Sequence, residues 1–201
     1  MKAIMISSKP RFVEKTLNGE KTIDVRKTMP INFEGWVYIY CTNEEYPEIT
    51  LYSQENEFGG YMEHTGNGKV VARFYLRKVR KYTENDTIRS EIIKDTCLTS
   101  QEIWQYAKGK PVYFWHIENL EIFDEPKNLW QFKTLESIEK YNKDLKRAQR
   151  EDAKIRAKIE EPIDMEYYGV PNCVQLTKLV EGLYGLTKAP QSWRYIEYAE
   201  D

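Results

Sequence analysis

A chain of 201 residues, 41% of them hydrophobic, is long enough for one domain with its own core, or for one domain carrying an insertion. Thirty basic residues against 32 acidic ones leave a net charge of −2, so there is no bulk basic field of the kind that duplex DNA binding uses, and any nucleic-acid contact has to come from a local patch or a pocket. Cys41, Cys97 and Cys173 lie too far apart for a zinc knuckle or a disulfide framework, no apolar run reaches transmembrane length, and Lys2 to Ser7 is too short for a signal peptide. The expectation is a cytoplasmic protein with reduced thiols, no metal, no cofactor and no membrane partner.

In chain order, Lys2 to Ser7 reads as a first strand and Pro10 to Asn18 as a helix, with Ser8 as its N-cap, Pro10 in the first turn and Gly19 in the left-handed position that stops it. Thr22 to Arg26 then alternates with period two, so Asp24 and Arg26 share one face while Ile23 and Val25 share the core face. Lys21, in the turn before this strand, leans over the same spot. Two cations with an acceptor between them suit a polar ligand that carries phosphate or resembles a base. Trp36 to Cys41 reads as a third strand. Residues 42–67 are polar and irregular, with Gly59, Gly60, Gly66 and Gly68 as turn signals, and read as a long loop over the mouth of a barrel. Lys69 to Tyr82 reads as one long strand, with Val71, Arg73, Tyr75 and Arg77 on one face and Val70, Ala72, Phe74 and Leu76 on the other.

Thr99 and Glu102 form a capping-box pattern opening a helix that Gly109 stops. Pro111 to Phe123 reads as a bent strand or strand pair, broken near Glu118 and Asn119, and Gln191 to Glu197 as the closing strand. Between them, residues 133–161 are highly charged, free of Gly and Pro, and carry a thin apolar stripe (Ile138, Tyr141, Leu145, Ala148, Ile155, Ile159). With a second helical piece from Val174 to Leu183, this predicts a mainly helical insertion over 133–186 within a single domain of residues 1–201. Strands that outnumber helices without a βαβ rhythm predict an α+β fold, a mixed or antiparallel barrel with a few peripheral helices.

Gly19, Lys21, Asp24 and Arg26 carry a family resemblance. The octet 19–26 resembles the Gly-x-Lys-x-x-Glu-x-Arg motif of ASCH domains, with Asp24 where the family most often has Glu. Val112 to Ile117 and Ala189 to Trp193 resemble later strands of stand-alone members, so the likeness covers about residues 1–126 and 187–198. The resemblance implies a PUA-like β-barrel whose cleft is lined by the equivalents of Lys21, Asp24 and Arg26, and a role in binding RNA.

Further candidates surround that motif. Lys9 stands in the first helical turn, where free N–H groups favour an anion, with Ser7 and Ser8 beside it. Of Trp115 and His116, neighbours on one strand, one at most faces a pocket: Trp115 as a stacking ring, His116 as a base-reading or acid–base group. Gln191 and Ser192 suit a nucleobase edge, and Trp193 a stacking face. The ordinary alternatives are a surface salt bridge for the motif, a core tryptophan for Trp115 and Trp193, and a histidine bonded to backbone for His116. The basic run Lys146, Arg147, Arg150, Lys154, Arg156 and Lys158 is by default a solvated helical face. Residues 183–190 with Trp193 are similar to a segment of retroelement reverse transcriptases, but no Asp-Asp pair exists, and the match reads as chance.

Three functions follow. The first is a binding module for RNA, a nucleotide or a modified nucleoside, in which Lys21 and Arg26 hold phosphate or a carbonyl and Asp24 accepts from a base amino group. The second is a hydrolase. The resemblance implies an acylcytidine amidohydrolase scheme with a lysine, a threonine nucleophile and a glutamate; Lys21 matches the lysine, but Asp24 stands at the threonine position, with Thr22 two residues away and Glu84 or Glu91 as glutamates. Ribonuclease chemistry would draw on His116 and Lys21, so the catalytic candidates are Lys21, Asp24 and His116. The third is an interaction protein using the 133–161 helix.

Overall fold

A computed structural model of the protein describes residues 2–44, 46–54, 60–134, 143, 146–147, 149–150, 190 and 193–197. These fall into two compact units, the larger comprising residues 2–128 with Pro190 and Trp193 to Tyr195, the smaller comprising the described residues from Leu129 to Arg150 with Ile196 and Glu197.

The first strand, β1 (Lys2–Ser8), is followed by helix α1 (Pro10–Leu17), β2 (Ile23–Arg26) and β3 (Gly35–Cys41). β1 and β3 are parallel, in register from Ile4 opposite Val37 to Ser8 opposite Cys41. The helix and β2 between them supply the crossover that a parallel pair requires. The N-cap of α1 is Lys9 rather than Ser8, with no side-chain cap bond, and Pro10 occupies the first turn. Gly19, at φ 75°, turns the chain out of the helix as expected.

The polar stretch 42–67 is not a plain loop. It contains a hairpin, β4 (Thr50–Gln54) and β5 (Tyr61–Thr65), which forms a two-stranded sheet. The expected long strand 69–82 is two strands, β6 (Val70–Leu76) and β7 (Val79–Tyr82), which belong to different sheets. Pro111 to Phe123 likewise divides at Ile117 into β8 (Val112–His116) and β9 (Glu118–Lys127). Two short helices precede β8: α2 (Ser90–Asp95), which the sequence reading lacks, and α3 (Ser100–Ala107).

These divisions change the architecture from the expected barrel. The last strand, β11 (Trp193–Glu197), contributes Trp193 to Tyr195 to the larger unit, whose main sheet runs β11, β1, β3, β6, β9, and a separate three-stranded sheet there runs β2, β8, β7. Because β6 and β8 each pass into a strand of another sheet, the strands form separate sheets and do not close into a barrel. The class remains mixed α+β. In the smaller unit, β10 (Lys133–Thr134) pairs antiparallel with Glu197 and Ile196. Apart from Lys133, Thr134 and the exposed helical residues Lys143, Lys146, Arg147, Gln149 and Arg150, the proposed insertion 133–186 lies outside the described residues.

One core cluster gathers Ile4, Ile6, Val37, Ile39, Phe74 and Trp115; a second joins Ile23 and Val25 of β2 to Ile103, Ala107, Val112 and Phe114. The second cluster seats α3, whose N-terminus carries the expected capping box between Thr99 and Glu102. Thr99→Ala is expected to lower stability by about 0.5–2 kcal/mol, read as a drop in the urea midpoint, because it removes the hydroxyl that accepts from the Glu102 backbone N–H while leaving the Thr99 N–H bond to Glu102 Oε2. An unchanged midpoint would show that α3 is held by packing alone.

Candidate functional site

The turn after α1 and the register of β2 against β8 place the motif. Glu20 and Lys21 donate their backbone N–H groups to Lys15 O at 2.9 and 3.0 Å, and Thr22 N–H bonds Asp95 O at 2.9 Å. β2 then pairs Ile23 with His116, Asp24 with Trp115, Val25 with Phe114 and Arg26 with Tyr113. Ile23 and Val25 pack into the second core cluster, which commits Asp24 and Arg26 to the other face.

Lys21, Asp24 and Arg26 are nearly buried, at 3%, 7% and 7% exposure. Arg26 Nε donates to Asp24 Oδ2 at 2.5 Å, Lys21 Nζ lies 3.2 Å from Asp24 Oδ1, and an Arg26 terminal nitrogen donates to Ser7 O at 3.1 Å. Lys21 Nζ also donates to Ile23 O at 2.6 Å and Thr96 O at 3.3 Å. Those three acceptors use the three protons of the ammonium, so Lys21 organises the cluster and does not reach out of it. Burial opposes ionisation of Asp24, but Arg26 and Lys21 outweigh it and lower the carboxyl's pKa. Burial likewise draws the Lys21 pKa down, with Asp24 acting against it.

The cluster forms the floor of a cavity of about 620 Å³. The end of β1 and the start of α1 (Ser8, Lys9, Arg11, Phe12) and α3 (Glu102, Gln105, Tyr106) also line it, and the exposed Lys9 and Glu44, with Thr42 just beyond β3, mark its mouth. Lys9 Nζ and Glu44 Oε1 are 3.3 Å apart there. Lys27 Nζ lies 4.5 Å from the centre of the Tyr106 ring, and burial raises the phenol pKa. The Ser7 hydroxyl is taken by Pro190 O.

Of the residues singled out in the sequence, Lys9, Lys21, Asp24 and Arg26 line this one cavity. Trp115 is on Asp24's side of the sheet by register, yet it is fully buried in the first core cluster and does not line the cavity. His116 lines up with Ile23 on the opposite side, its backbone N–H bonded to Lys78 O at 3.0 Å; burial, then Lys78 and Arg80, lower its pKa. It does not line the cavity that Lys21 lines, nor do Thr22, Glu84 and Glu91, all of which are exposed. Trp193 packs against Trp115 and Tyr195, and its indole N–H donates to Thr28 Oγ1 at 2.8 Å. Gln191 and Ser192 lie outside the described residues, as do Lys154, Arg156 and Lys158 of the basic run.

Arg11, Phe12, Glu44, Glu102, Gln105 and Tyr106 are lining residues that the sequence reading passed over. A signal existed for α3: Glu102, Gln105 and Tyr106 recur at three- and four-residue steps, opposite Ile103 and Ala107. Among the described residues no group of three His, Cys, Asp or Glu side chains is placed to hold a metal ion, and no helix is long and apolar enough to cross a membrane.

No family model matches the chain, and no curated protein does. Solved structures similar to it are of an ASCH protein from Zymomonas mobilis and point mutants of it. The first is 20% identical, with 63% of this chain and 73% of the other covered at a TM-score of 0.46. A tyrosine-to-phenylalanine mutant is 19% identical, with 64% and 77% covered at 0.47. A serine-to-alanine mutant is 20% identical, with 63% and 74% covered at 0.46.

Proposed function

We propose that this protein is an ASCH-type, PUA-like binding module that takes an RNA segment or a single nucleotide into the cavity above Lys21, Asp24 and Arg26. The observation that carries the reading is the layering of that cavity. Its floor is an ionised carboxylate locked between two buried cations; its wall and mouth hold Lys9, Arg11 and the rings of Phe12 and Tyr106.

An ionised carboxylate accepts hydrogen bonds and donates none, so the floor favours the amino or imino N–H of a base and repels phosphate. Phosphate fits the mouth, where Lys9 and Arg11 supply charge, and the two rings offer a stacking surface. The roles first given to Lys21 and Arg26 therefore shift. They hold Asp24 ionised and oriented, and the gripping of phosphate passes to Lys9 and Arg11.

Equilibrium binding to a panel of nucleosides, nucleoside monophosphates and a fluorescent single-stranded RNA tests this. Tyr106→Ala is expected to weaken binding by about 1–3 kcal/mol, the worth of one stacked base. Arg11→Ala is expected to weaken the phosphate-bearing ligands and to leave the nucleosides unchanged. Absence of binding across the panel, or affinities indifferent to both substitutions, would overturn the reading. Chromatography of the same mixtures, with acylcytidine added, detects turnover; cleavage of RNA or release of the acyl group would place the protein among hydrolases.

A further inference from the structure

Among the described residues, three carboxylates line the cavity, and they are held very differently. Asp24 has both oxygens engaged by buried cations. Glu102 is committed to the capping box, its Oε2 accepting from Thr99 N and Oγ1 at 2.8 and 2.9 Å. Glu44 has the 3.3 Å approach of Lys9 Nζ and a 3.3 Å bond from Thr42 Oγ1. The Lys9 and Glu44 side chains are 57% and 44% exposed, so their attraction is screened and readily exchanged.

The backbone beneath Glu44, by contrast, is fixed. Asn67, in the turn between β5 and β6, donates from Nδ2 to Glu44 O at 2.5 Å and to Pro47 O at 3.1 Å, while its Oδ1 accepts from Ile49 N at 2.9 Å. Glu44 N–H bonds Thr42 O at 2.9 Å, and Thr42 N–H bonds Ser8 O at 2.9 Å, tying the segment to the end of β1 where Lys9 begins. An exchangeable carboxylate on an anchored backbone thus stands against the Lys9 ammonium at the mouth.

From this we infer that Glu44 is the specificity-determining residue of the cavity mouth: its carboxylate occupies the anion position beside Lys9, and an incoming phosphate has to displace it. The inference rests on the reading of the cavity as a phosphate-accepting site. A phosphate carries more charge and more acceptor oxygens than a carboxylate, so it takes Lys9 over. Glu44 then loses its partner and faces a like charge. The cavity thereby holds back from singly charged and weakly charged anions and yields to ligands whose other contacts compensate the exchange. Asn67 is a positioning residue in this scheme.

The test uses inorganic pyrophosphate as probe and the full chain, with Glu44→Gln keeping the size and the acceptor for Thr42. Calorimetric titration is expected to give at least about fivefold tighter pyrophosphate binding to Glu44→Gln than to the unsubstituted protein. Adding Lys9→Ala to either background is expected to erase the difference. Equal affinities, no measurable binding to either protein, or a gain that survives Lys9→Ala would each overturn the inference. Uncharged nucleosides are expected to bind Glu44→Gln and the unsubstituted protein alike; a matching gain for them would show that Glu44 merely narrows the opening, and would overturn the inference too. Should nucleosides bind neither protein while pyrophosphate behaves as expected, the base-binding floor fails and the role of Glu44 stands.

Discussion

Asp24→Ala is expected to lower stability by about 3–5 kcal/mol, because it strands two buried cations that share one carboxylate. Lys21 would keep Ile23 O and Thr96 O, and Arg26 would keep Ser7 O, but neither of these buried cations would have Asp24 as counter-ion. Urea unfolding at neutral pH measures the loss. The pH dependence adds a signature. Asp24 has a lowered pKa in the folded protein, so its contribution is complete above the unfolded carboxyl value of about 3.9 and is lost as pH falls through the folded value. The stability gap between the unsubstituted protein and Asp24→Asn is therefore expected to narrow on acidification below about pH 4, other carboxylates cancelling in the comparison. A gap constant from neutral to strongly acid pH would show that Asp24 is not held ionised by its neighbours.

Trp115→Ala is expected to cost about 3–5 kcal/mol, and Trp115→Phe far less. The ring is fully buried against Ile4, Ile6, Val37 and Phe74, so truncation opens a large void in the first core cluster. Its indole N–H has no hydrogen-bond partner among the described residues, so phenylalanine removes a buried donor as well as volume and recovers part of the difference. Thermal or urea unfolding of the two variants decides; similar losses would mean that the indole N–H is satisfied in solution. Because Trp115 does not line the cavity, ligand affinity per folded molecule is expected to follow the unsubstituted protein in the phenylalanine variant.

How far the sequence could be read depended on the range of the forces involved. Period-two alternation in β2 was enough to set Asp24 and Arg26 together against Ile23 and Val25, since that depends on neighbouring residues alone. The saturation of Lys21 was not legible, because one of its acceptors, Thr96 O, is 75 residues away. The capping box of α3 was local and was read correctly. Helical spacing on the same element also carried Glu102, Gln105 and Tyr106, though nothing in the sequence said which face met a cavity. The hairpin β4–β5 lay hidden in a polar run whose glycines looked like loop signals; its tie, Ser53 Oγ to His64 Nε2 at 2.7 Å, joins residues with no pattern of their own. The break between β6 and β7 at Arg77 and Lys78 has no Gly or Pro to announce it, and it shows only in the two strands joining different sheets.

That break has a bearing on how the chain tolerates change. Two residues, Arg77 and Lys78, carry it from β6 to β7, and one, Ile117, carries it from β8 to β9; the His116 N–H to Lys78 O bond links the two crossings. There is no slack at either. Adding a single residue within β8, between Phe114 and Trp115, would turn one part of the strand over against the other and part Asp24 from its registered neighbour. Insertions and fused tags are better carried at the exposed Glu84–Asp86 turn, where extra length reverses no strand.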